Sequence, residues 1–373
     1  MMKVLVTGSK GFVGRNLTAH LREDSRFEVL EYSRSNSENE LEVLVKQADK
    51  IVHLAGVNRP KTENEFKSGN QDLTAKLIHF ASQSNKRPHI LLSSSTQAEL
   101  NNPYGESKLG AEQEVLKYQD QTGSRITIYR LPNLFGKWSR PNYNSAIATF
   151  CYNVANDLEI TVIDPTIELN LAYIDDVVDS IVANLLSDNN NGNNTYVAVP
   201  VTYKKTLEEI VTLIQSFKNM RESLLLPNYQ DLFVKKLYTT YLSYLKEDAF
   251  SYGLTKHEDN RGWLSELIKS DYMGQMFVSK TKPGITRGNH YHHTKVEKFI
   301  VISGEAMIRF RHIEKSEVIE YKIEGNEARV VDIPPGYTHS IENIGTDEMI
   351  TLFWVNEQFD TQKPDTYMNE VIK

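Results

Sequence analysis

The sequence contains a single cysteine, Cys151, among its 373 residues. An internal disulfide is therefore excluded, and a reducing compartment is favoured. The chain also lacks an apolar run long enough to span a bilayer, and its first residues follow a strand pattern rather than that of a signal peptide. We therefore expect a cytoplasmic location and no membrane partner.

Basic residues are not in excess. The 42 Lys and Arg residues stand against 49 Asp and Glu, which gives a net charge of −7 at pH 7. Nucleic-acid binders usually have a basic surplus, so this class is disfavoured. The hydrophobic content of 40% and charged content of 24% are typical of a globular protein. The length favours two or three domains.

A glycine-rich turn follows the first apolar run. Residues 3–7 have strand character, residues 15–21 have helical spacing, and between them lie Gly8, Lys10, Gly11, Phe12, Val13 and Gly14. Strand, glycine turn and helix in this order predict a dinucleotide site, with the pyrophosphate at the helix N-terminus. A glycine turn that binds nothing is the alternative.

The second predicted strand, residues 27–32, ends at Ser33 and Arg34. A guanidinium at this distance from the glycines suits a 2′-phosphate, whereas a carboxylate suits the ribose hydroxyl of NAD. Arg34, with Ser33 and Lys10, therefore favours NADPH. Glu31 keeps NAD as an alternative, and Arg34 as an ordinary surface residue is another.

The alternation of strands and helices continues along the first part of the chain. Residues 51–56 form a buried-strand pattern that ends in Leu54, Ala55 and Gly56, where a cofactor can approach the backbone. Such alternation predicts an α/β Rossmann-type fold, a doubly wound parallel sheet with its ligands at the carboxyl ends of the strands.

Residues 93–108 carry the candidate catalytic groups. Three serines, including Ser94 and Ser95, end a strand pattern, and Tyr104 and Lys108 lie four residues apart at a predicted helix start. Residues at this spacing share a helix face. The ammonium is expected to lower the pKa of the phenol, and a serine to hold a substrate oxygen. The alternative is an ordinary surface tyrosine and lysine.

These motifs resemble the extended short-chain dehydrogenase/reductase family, in its nucleotide-sugar branch. Residues 130–136 and 173–178 match later motifs of that branch. The resemblance implies that Tyr104 is the proton donor, that Lys108 tunes it and binds the cofactor ribose, and that a serine orients the keto oxygen. By position Ser95 fits best and Ser94 next. Asn133 is expected to face the substrate, and Arg140 is a candidate diphosphate contact.

The pattern changes after residue 247 to short β runs separated by turns, which predicts an all-β sandwich or jelly roll. His290 and His292 share one face of a strand, and Glu297 and His339 can complete a metal site. Imidazoles with one carboxylate suit zinc, with Fe, Mn or Ni as alternatives. A cluster without metal is a further alternative.

These segments resemble the two cupin motifs, although Ala328 replaces the glycine that usually opens the second. Residues 258–263 and 287–291 resemble the deoxysugar 3,5-epimerase branch of cupins. That resemblance implies a histidine base at His290, which is also the first cupin metal position. One imidazole cannot serve both roles at once, so the metal is bound without it or another group, such as His293 or Lys298, is the base.

Together the resemblances assign residues 1–246 to an NADP-binding reductase domain and residues 247–373 to a metal-binding cupin domain. The fusion resembles two-domain enzymes of capsular polysaccharide synthesis. That resemblance implies C3 epimerisation of a UDP-2-acetamido-2,6-dideoxy-4-ketohexose, NADPH reduction at C4 to the L-talose product, and a homodimer. The alternatives are a reductase with a non-catalytic, metal-stabilised cupin dimerisation module, or an epimerase or dehydratase that retains NAD.

Overall fold

The computed structural model of the protein describes residues 1–187 and 195–373. Its contacts divide the chain into two compact units: Met1–Gln215 with Lys236–Lys246, and Ser216–Lys235 with Glu247–Lys373. The domain boundary expected after residue 246 stays a prediction. No helix of the described part combines the length and the apolarity needed to cross a membrane.

Two sheets form the strand framework of the first unit. Its strands are β1 Met2–Thr7, β2 Phe27–Tyr32, β3 Lys50–His53, β4 His89–Ser95, β5 Ile126–Leu131, β6 Asn133–Phe135, β7 Glu168–Tyr173, β8 Tyr196–Val197 and β9 Tyr203–Thr206. The main sheet is parallel, in the order β2-β1-β3-β4-β5-β8, and β6-β7-β9 form a small mixed sheet. The inner strands β1, β3 and β4 are mostly buried apolar runs, which is typical of a parallel sheet covered on both faces.

Helices alternate with these strands. They are α1 Phe12–Glu23, α2 Glu38–Gln47, α3 Asn64–Phe66, α4 Leu73–Gln83, α5 Pro103–Thr122, α6 Ala146–Ala155 and α7 Ile174–Leu186. Two further helices, α8 Leu207–Ser223 and α9 Leu232–Leu242, each have residues in both units. A π-helical segment, Lys67–Asp72, joins α3 to α4. Apolar side chains of α2, α4 and α5 pack with those of β1, β3, β4 and β5 in one buried cluster.

The strand order places the ligand-binding edge of this sheet. The chain runs from β1 outward to β2 and then returns to β3 on the other side of β1. The crevice outside the carboxyl ends of β1 and β3 is therefore the topological switch point, where doubly wound sheets bind ligands. The glycine turn follows β1, and Leu54–Gly56 follow β3, which ends at His53 rather than at the expected residue 56.

The second unit is built on two antiparallel sheets. Its strands are β10 His257–Asp259, β11 Gly262–Ser270, β12 Gly274–Thr281, β13 Thr286–Tyr291, β14 Glu297–Ser303, β15 Glu305–His312, β16 Val318–Glu324, β17 Val330–Ile333, β18 Tyr337–Asn343, β19 Met349–Val355 and β20 Tyr367–Met368. The sheet orders are β10-β11-β12-β19-β14-β17 and β16-β15-β18-β13-β20.

One hydrophobic cluster joins these two sheets. Phe299 and Ile333 from the first sheet pack with Ile308, Phe310 and Ile341 from the second. Alternate residues of each strand face this core, which gives the period of two seen in the sequence. The predicted fold class, a Rossmann-type parallel sheet followed by an all-β unit, is confirmed.

Candidate active site and metal centre

The catalytic stretch joins β4 to α5. The Asn102 side chain caps α5 by accepting a hydrogen bond from the Gly105 backbone N–H (2.9 Å), and Pro103 occupies the first turn. A Cβ atom on Gly105 would lie 2.2 Å from the Gln97 carbonyl oxygen. Glycine therefore lets the start of the helix pack closely on the loop, which fixes Tyr104 beside the end of β4.

Tyr104 and Lys108 lie one helical turn apart, as predicted, and the side chain of Lys108 is buried. Burial lowers the pKa of Lys108 to about 8, and the Glu112 carboxylate partly opposes this shift. Burial raises the pKa of Tyr104, and an interaction with the Ser95 hydroxyl partly lowers it. That Lys108 lowers the pKa of Tyr104 stays a prediction; in this structure its ammonium donates to the Ser93 carbonyl (3.0 Å).

Ser94 and Ser95 are neighbours on one strand and point to opposite faces. The Ser94 hydroxyl donates to the carboxylate of Glu112, whose side chain is fully buried. The Ser95 hydroxyl lies on the tyrosine side and accepts from the Gln97 backbone N–H (3.2 Å). Of the two candidates, only Ser95 has its hydroxyl beside Tyr104.

Glu112 is a buried charge that sequence reasoning missed. Its carboxylate accepts two hydrogen bonds from Arg130 (3.0 and 2.7 Å) and one from the Tyr196 hydroxyl (3.1 Å), besides that from Ser94. A buried carboxylate is stable when it is paired and fully hydrogen-bonded. The spacing of Tyr104, Lys108 and Glu112, four residues each, is the one signal that could have found it.

Asn70, in the π-helical segment, was also missed. Its amide accepts from the Val57 backbone N–H and donates to the Val57 carbonyl and the Ser107 hydroxyl, each at 2.9 Å. It thereby ties the loop after β3 to the helix of Tyr104. π-Helical turns are frequent at functional sites, but the sequence pattern gives no sign of this one.

The glycine turn and the loop after β3 are in direct contact. A Cβ atom on Gly8, where φ is +71°, would lie 2.7 Å from the Ala55 backbone nitrogen, and one on Gly14 would lie 2.2 Å from the Gly8 carbonyl oxygen. Phe12 and Val13 open α1, whose first turn has no acidic residue and no side-chain cap. The first N–H groups of a helix have no partner within it, so the N-terminus of α1 is suited to a pyrophosphate.

The residues predicted to distinguish a 2′-phosphate from a ribose hydroxyl lie close to the end of β2. The Lys10 ammonium donates to the Ser35 hydroxyl (3.2 Å), which also hydrogen-bonds the hydroxyl of the buried Ser33 (2.9 Å). Arg34 is exposed beside them. The cluster is therefore cationic. The carboxylate of Glu31, which had suggested NAD, is paired with Arg22.

The predicted substrate residues follow β5. Asn133 is exposed at the start of β6. The guanidinium of Arg140 lies 5.3 Å from the ring centroid of Tyr143, and that of Arg59 lies 6.0 Å from the same ring. Two arginines near one partly buried aromatic side chain suit a phosphate-bearing ligand. Arg59 lies on the loop after β3 and was not predicted.

The four predicted metal ligands of the second unit form one cluster. One donor atom from each of His290, His292, Glu297 and His339 lies within 4.8 Å of the others. Glu297 is 3.5 Å from Nε2 of His292 and 3.3 Å from Nε2 of His339. Both of these buried Nε2 atoms lack a hydrogen-bond partner. Orphaned imidazole nitrogens converging on a carboxylate fit a divalent metal such as zinc.

The charges of His290 and Glu297 agree with this fit. Burial, and next His339, lower the pKa of His290 to about 4, so its imidazole is neutral at pH 7. Burial acts to raise the pKa of the Glu297 carboxyl, but the nearby rings of His292 and His339 hold it well below its usual range. A neutral His290 and an ionised Glu297 are the forms that bind metals. Burial acts to lower the pKa of His292, but the Glu297 carboxylate and the Asp365 carbonyl hold it above its ordinary value, so a metal competes with a proton at that ring.

The alternative base candidates lie outside this cluster. Lys298 follows Glu297 on β14, so it points to the opposite face of the strand, where it pairs with Asp332 (2.5 Å). His293 is exposed and packs against the rings of Tyr291 and Tyr367. Lys298 therefore does not share a face with the histidines, and His293 lies at their edge.

Known proteins resemble the whole chain. The model of the NAD dependent epimerase/dehydratase family matches residues 4–198, and that of the polysaccharide biosynthesis C-terminal domain matches residues 257–367. The UDP-2-acetamido-2,6-beta-L-arabino-hexul-4-ose reductase of Pseudomonas aeruginosa is 44% identical over 366 residues, 98% of each chain. The capsular polysaccharide assembling protein CapF from Staphylococcus aureus superposes with a TM-score of 0.93 at 50% identity, over 99% of this chain and 100% of that one. A structure of CapF with the inhibitor 3-isopropenyl-tropolone matches over the same shares, with a TM-score of 0.88 and 45% identity.

Proposed function

The chain belongs to the NAD dependent epimerase/dehydratase family, in a CapF-like form with a polysaccharide biosynthesis C-terminal domain, and we propose that it is a bifunctional nucleotide-sugar enzyme. Its second unit epimerises C3 of a UDP-2-acetamido-2,6-dideoxy-4-ketohexose. Its first unit reduces C4 with NADPH to UDP-2-acetamido-2,6-dideoxy-L-talose, a precursor of N-acetyl-L-fucosamine for surface polysaccharide.

One observation carries the reductase proposal. The stretch with Ser95, Tyr104 and Lys108 follows β4 and the glycine turn follows β1, so both lie at the carboxyl edge of the same parallel sheet. NADPH, when bound, supplies the hydride for C4. The Ser95 hydroxyl orients the keto oxygen, and Tyr104 donates a proton to it as negative charge develops. The Lys108 ammonium stabilises the resulting phenolate.

The choice of NADPH is supported by the cationic cluster at the end of β2. Lys10 and Arg34 would bind a 2′-phosphate, with the Ser35 hydroxyl as an additional donor. Glu31 does not compete, because Arg22 neutralises it. Gly8, Gly11 and Gly14 would admit the pyrophosphate, and Leu54, Ala55 and Gly56 would border the nicotinamide side of the cofactor.

The epimerase proposal rests on the histidine cluster of the second unit. His290, His292, Glu297 and His339 would hold a divalent metal, which when bound would supply a Lewis acid for a carbonyl oxygen. The ketone acidifies the hydrogen at C3, so a neutral imidazole suffices as its base. One imidazole cannot be ligand and base at once, so His293 is the base where His290 binds the metal. Where the metal is bound without it, His290, which is neutral and partly exposed, is the base. The CapF inhibitor is a tropolone, a class that chelates metals through adjacent oxygens.

One alternative has specific support. The Pseudomonas aeruginosa relative is named as a reductase alone, so the second unit can be a non-catalytic, metal-stabilised dimerisation module. We further propose a homodimer, from the resemblance, and a cytoplasmic location, from the single cysteine. That cysteine is fully buried and its pKa is raised by burial, which is typical of a structural thiol.

The test uses the full chain and the UDP-linked 4-keto sugar in heavy water. Without NADPH, we expect deuterium at C3 by mass spectrometry and NMR; with NADPH, one equivalent is oxidised per sugar and the talose product forms. Tyr104→Phe should abolish NADPH oxidation and leave the exchange at C3 intact, because the proton donor acts only in reduction.

Other outcomes identify the alternatives. Reduction without deuterium at C3 supports the reductase with a non-catalytic second unit. Sugar conversion without net NADPH consumption supports an epimerase or dehydratase that retains its cofactor. Loss of both reactions in Tyr104→Phe, in a variant that still binds NADPH, contradicts the assignment of the two steps to separate sites.

A further inference from the structure

A segment near the end of the chain is in contact with three of the four metal-site residues or their immediate neighbours. We call residues 364–371 the C-terminal strap. Its strand β20 pairs with β13, where Met368 is opposite His290 and Tyr367 is opposite Tyr291. The strap therefore forms the edge of the sheet at His290.

Asp365, in the strap, holds the loop that follows His290. Its carboxylate accepts backbone N–H hydrogen bonds from His293 (3.0 Å), Thr294 (2.9 Å) and Lys295 (2.9 Å). The Lys295 ammonium is buried and donates to the carbonyl of Pro364 (2.5 Å). Hydrogen bonds to an ionised carboxylate are stronger than neutral ones, so this loop is held firmly by one side chain.

The backbone carbonyl of Asp365 contacts His292 itself. It accepts a hydrogen bond from Nδ1 of the imidazole at 2.5 Å. A carbonyl can only accept, so Nδ1 carries the proton, and in the neutral ring Nε2 carries the lone pair. Nε2 is the atom that faces Glu297 and lacks a hydrogen-bond partner. The strap thus presents His292 in the tautomer that a metal requires.

The rest of the strap is anchored close to His339. The hydroxyl of Thr338 donates to the carbonyl of Asn369. The buried Arg311 donates to the Asn369 side-chain oxygen (3.0 Å) and to the carbonyls of Glu370 (2.7 Å) and Val371 (3.0 Å). A buried guanidinium with several carbonyl acceptors fixes the path of the strap on the sheet.

Two residues where the strap meets β13 and the loop after it have unusual backbone conformations. Asp365 has φ +39° and Asn289 has φ +59°. Asn289 accepts hydrogen bonds from the strap, at its carbonyl from the Asn369 N–H (2.9 Å) and at its side chain from the Val371 N–H (3.2 Å). Asp and Asn tolerate this conformation better than most residues do, so the contact depends on these residue types.

We propose that the C-terminal strap orients the metal centre and that Asp365 is the positioning residue for His292. The carboxylate holds the loop, and the loop in turn keeps the carbonyl of Asp365 against Nδ1. This inference rests on the metal site of the proposed function. The carbonyl of Asp365 is an outer contact of the four-ligand site, and it sets the ring orientation and the tautomer of His292.

The test compares zinc affinities of full-length variants by competition with a chelating dye. Asp365→Ala should weaken zinc binding about 10–100-fold, the usual effect of removing an outer-shell partner. Asp365→Asn should recover part of the loss, because the amide oxygen still accepts from the loop and Asn tolerates the positive φ. Asp360→Ala is the matched control, since within the described structure the Asp360 carboxylate accepts a hydrogen bond only from the nearby Gln362 N–H.

A second measurement needs no variant. The ¹⁵N shifts of labelled histidine in the metal-free, full-length protein should identify His292 as the Nδ1–H tautomer, a property that a merely structural role of the strap would not fix. The Nε2–H tautomer, or zinc affinity of Asp365→Ala within about threefold of the wild type, overturns the inference. If the wild type binds no zinc, the metal site and the inference both fail. If zinc binds as described but C3 exchange is absent, the epimerase proposal fails and the inference stands.

Discussion

At the scale of the residue, the chemistry of the first unit depends on which way two adjacent hydroxyls point. A strand alternates its side chains, so Ser94 and Ser95 cannot face the same partner. The Ser94 hydroxyl donates to Glu112, and the Ser95 hydroxyl lies by Tyr104. One serine therefore contributes to the stability of a buried charge, and the other is free to contact a ketone.

Single substitutions separate these two roles. Ser95→Ala should lower kcat of NADPH oxidation about 10²–10³-fold, the usual effect of losing a donor to a developing oxyanion. Ser94→Ala should leave kcat of the folded enzyme nearly unchanged and lower the free energy of unfolding by about 1–3 kcal/mol, because a buried carboxylate loses a donor. Steady-state kinetics and urea unfolding of both variants check this, and the reverse pattern would assign the ketone to Ser94.

At the scale of the element, helix α5 carries three functional groups on one face. Tyr104, Lys108 and Glu112 follow at intervals of four residues, and the helix also packs on Asn70 through Ser107. Burial lowers the pKa of Lys108, and the carboxylate of Glu112 opposes that shift. Glu112 therefore helps to keep Lys108 protonated beside Tyr104.

Glu112→Gln tests this electrostatic role. Without the carboxylate, the pKa of Lys108 should fall below its value of about 8. The protonated lysine is then lost at a lower pH, so the alkaline limb of the kcat profile for NADPH oxidation should move to lower pH. Arg130 also loses its buried partner, which should cost about 1–3 kcal/mol of unfolding free energy. Glu114→Gln, on the same helix in an ion pair with Lys117, is the control and should leave the profile in place. An unmoved profile in Glu112→Gln contradicts the role.

Some site residues could be predicted from the sequence and others could not. The glycine turn, the Tyr104–Lys108 pair and the four metal-site residues follow local spacing, so they were predictable. The spacing from Lys108 indicates only that Glu112 shares its helix face. The roles of Glu112, Asn70 and Asp365 were not predictable, because they depend on partners that are distant in the chain. Glu112 meets Tyr196 across 84 residues, Asn70 meets Ser107 across 37, and Asp365 meets His292 across 73. No local pattern encodes such pairs.

At the scale of the whole molecule, each proposed ligand belongs to one compact unit. All residues proposed to bind NADPH lie in Met1–Gln215, and all proposed metal ligands lie in Glu247–Lys373. Units with separate cores can unfold separately. A ligand that binds only the folded form of one unit stabilises that unit by mass action.

Thermal unfolding should therefore resolve two transitions with different ligand responses. At 100 times its dissociation constant, a ligand contributes about 2.7 kcal/mol, which corresponds to a shift of about 5–10 °C for a domain of this size. NADPH should raise one transition and zinc the other, measured by calorimetry of the full chain. His339→Ala should remove the response to zinc, because His339 belongs to the metal cluster. It should keep the response to NADPH, because the residues proposed to bind NADPH lie in the other unit. A single transition, or two transitions that each ligand moves equally, would mean that the two sites are energetically coupled and that metal binding in the second unit also acts on the reductase.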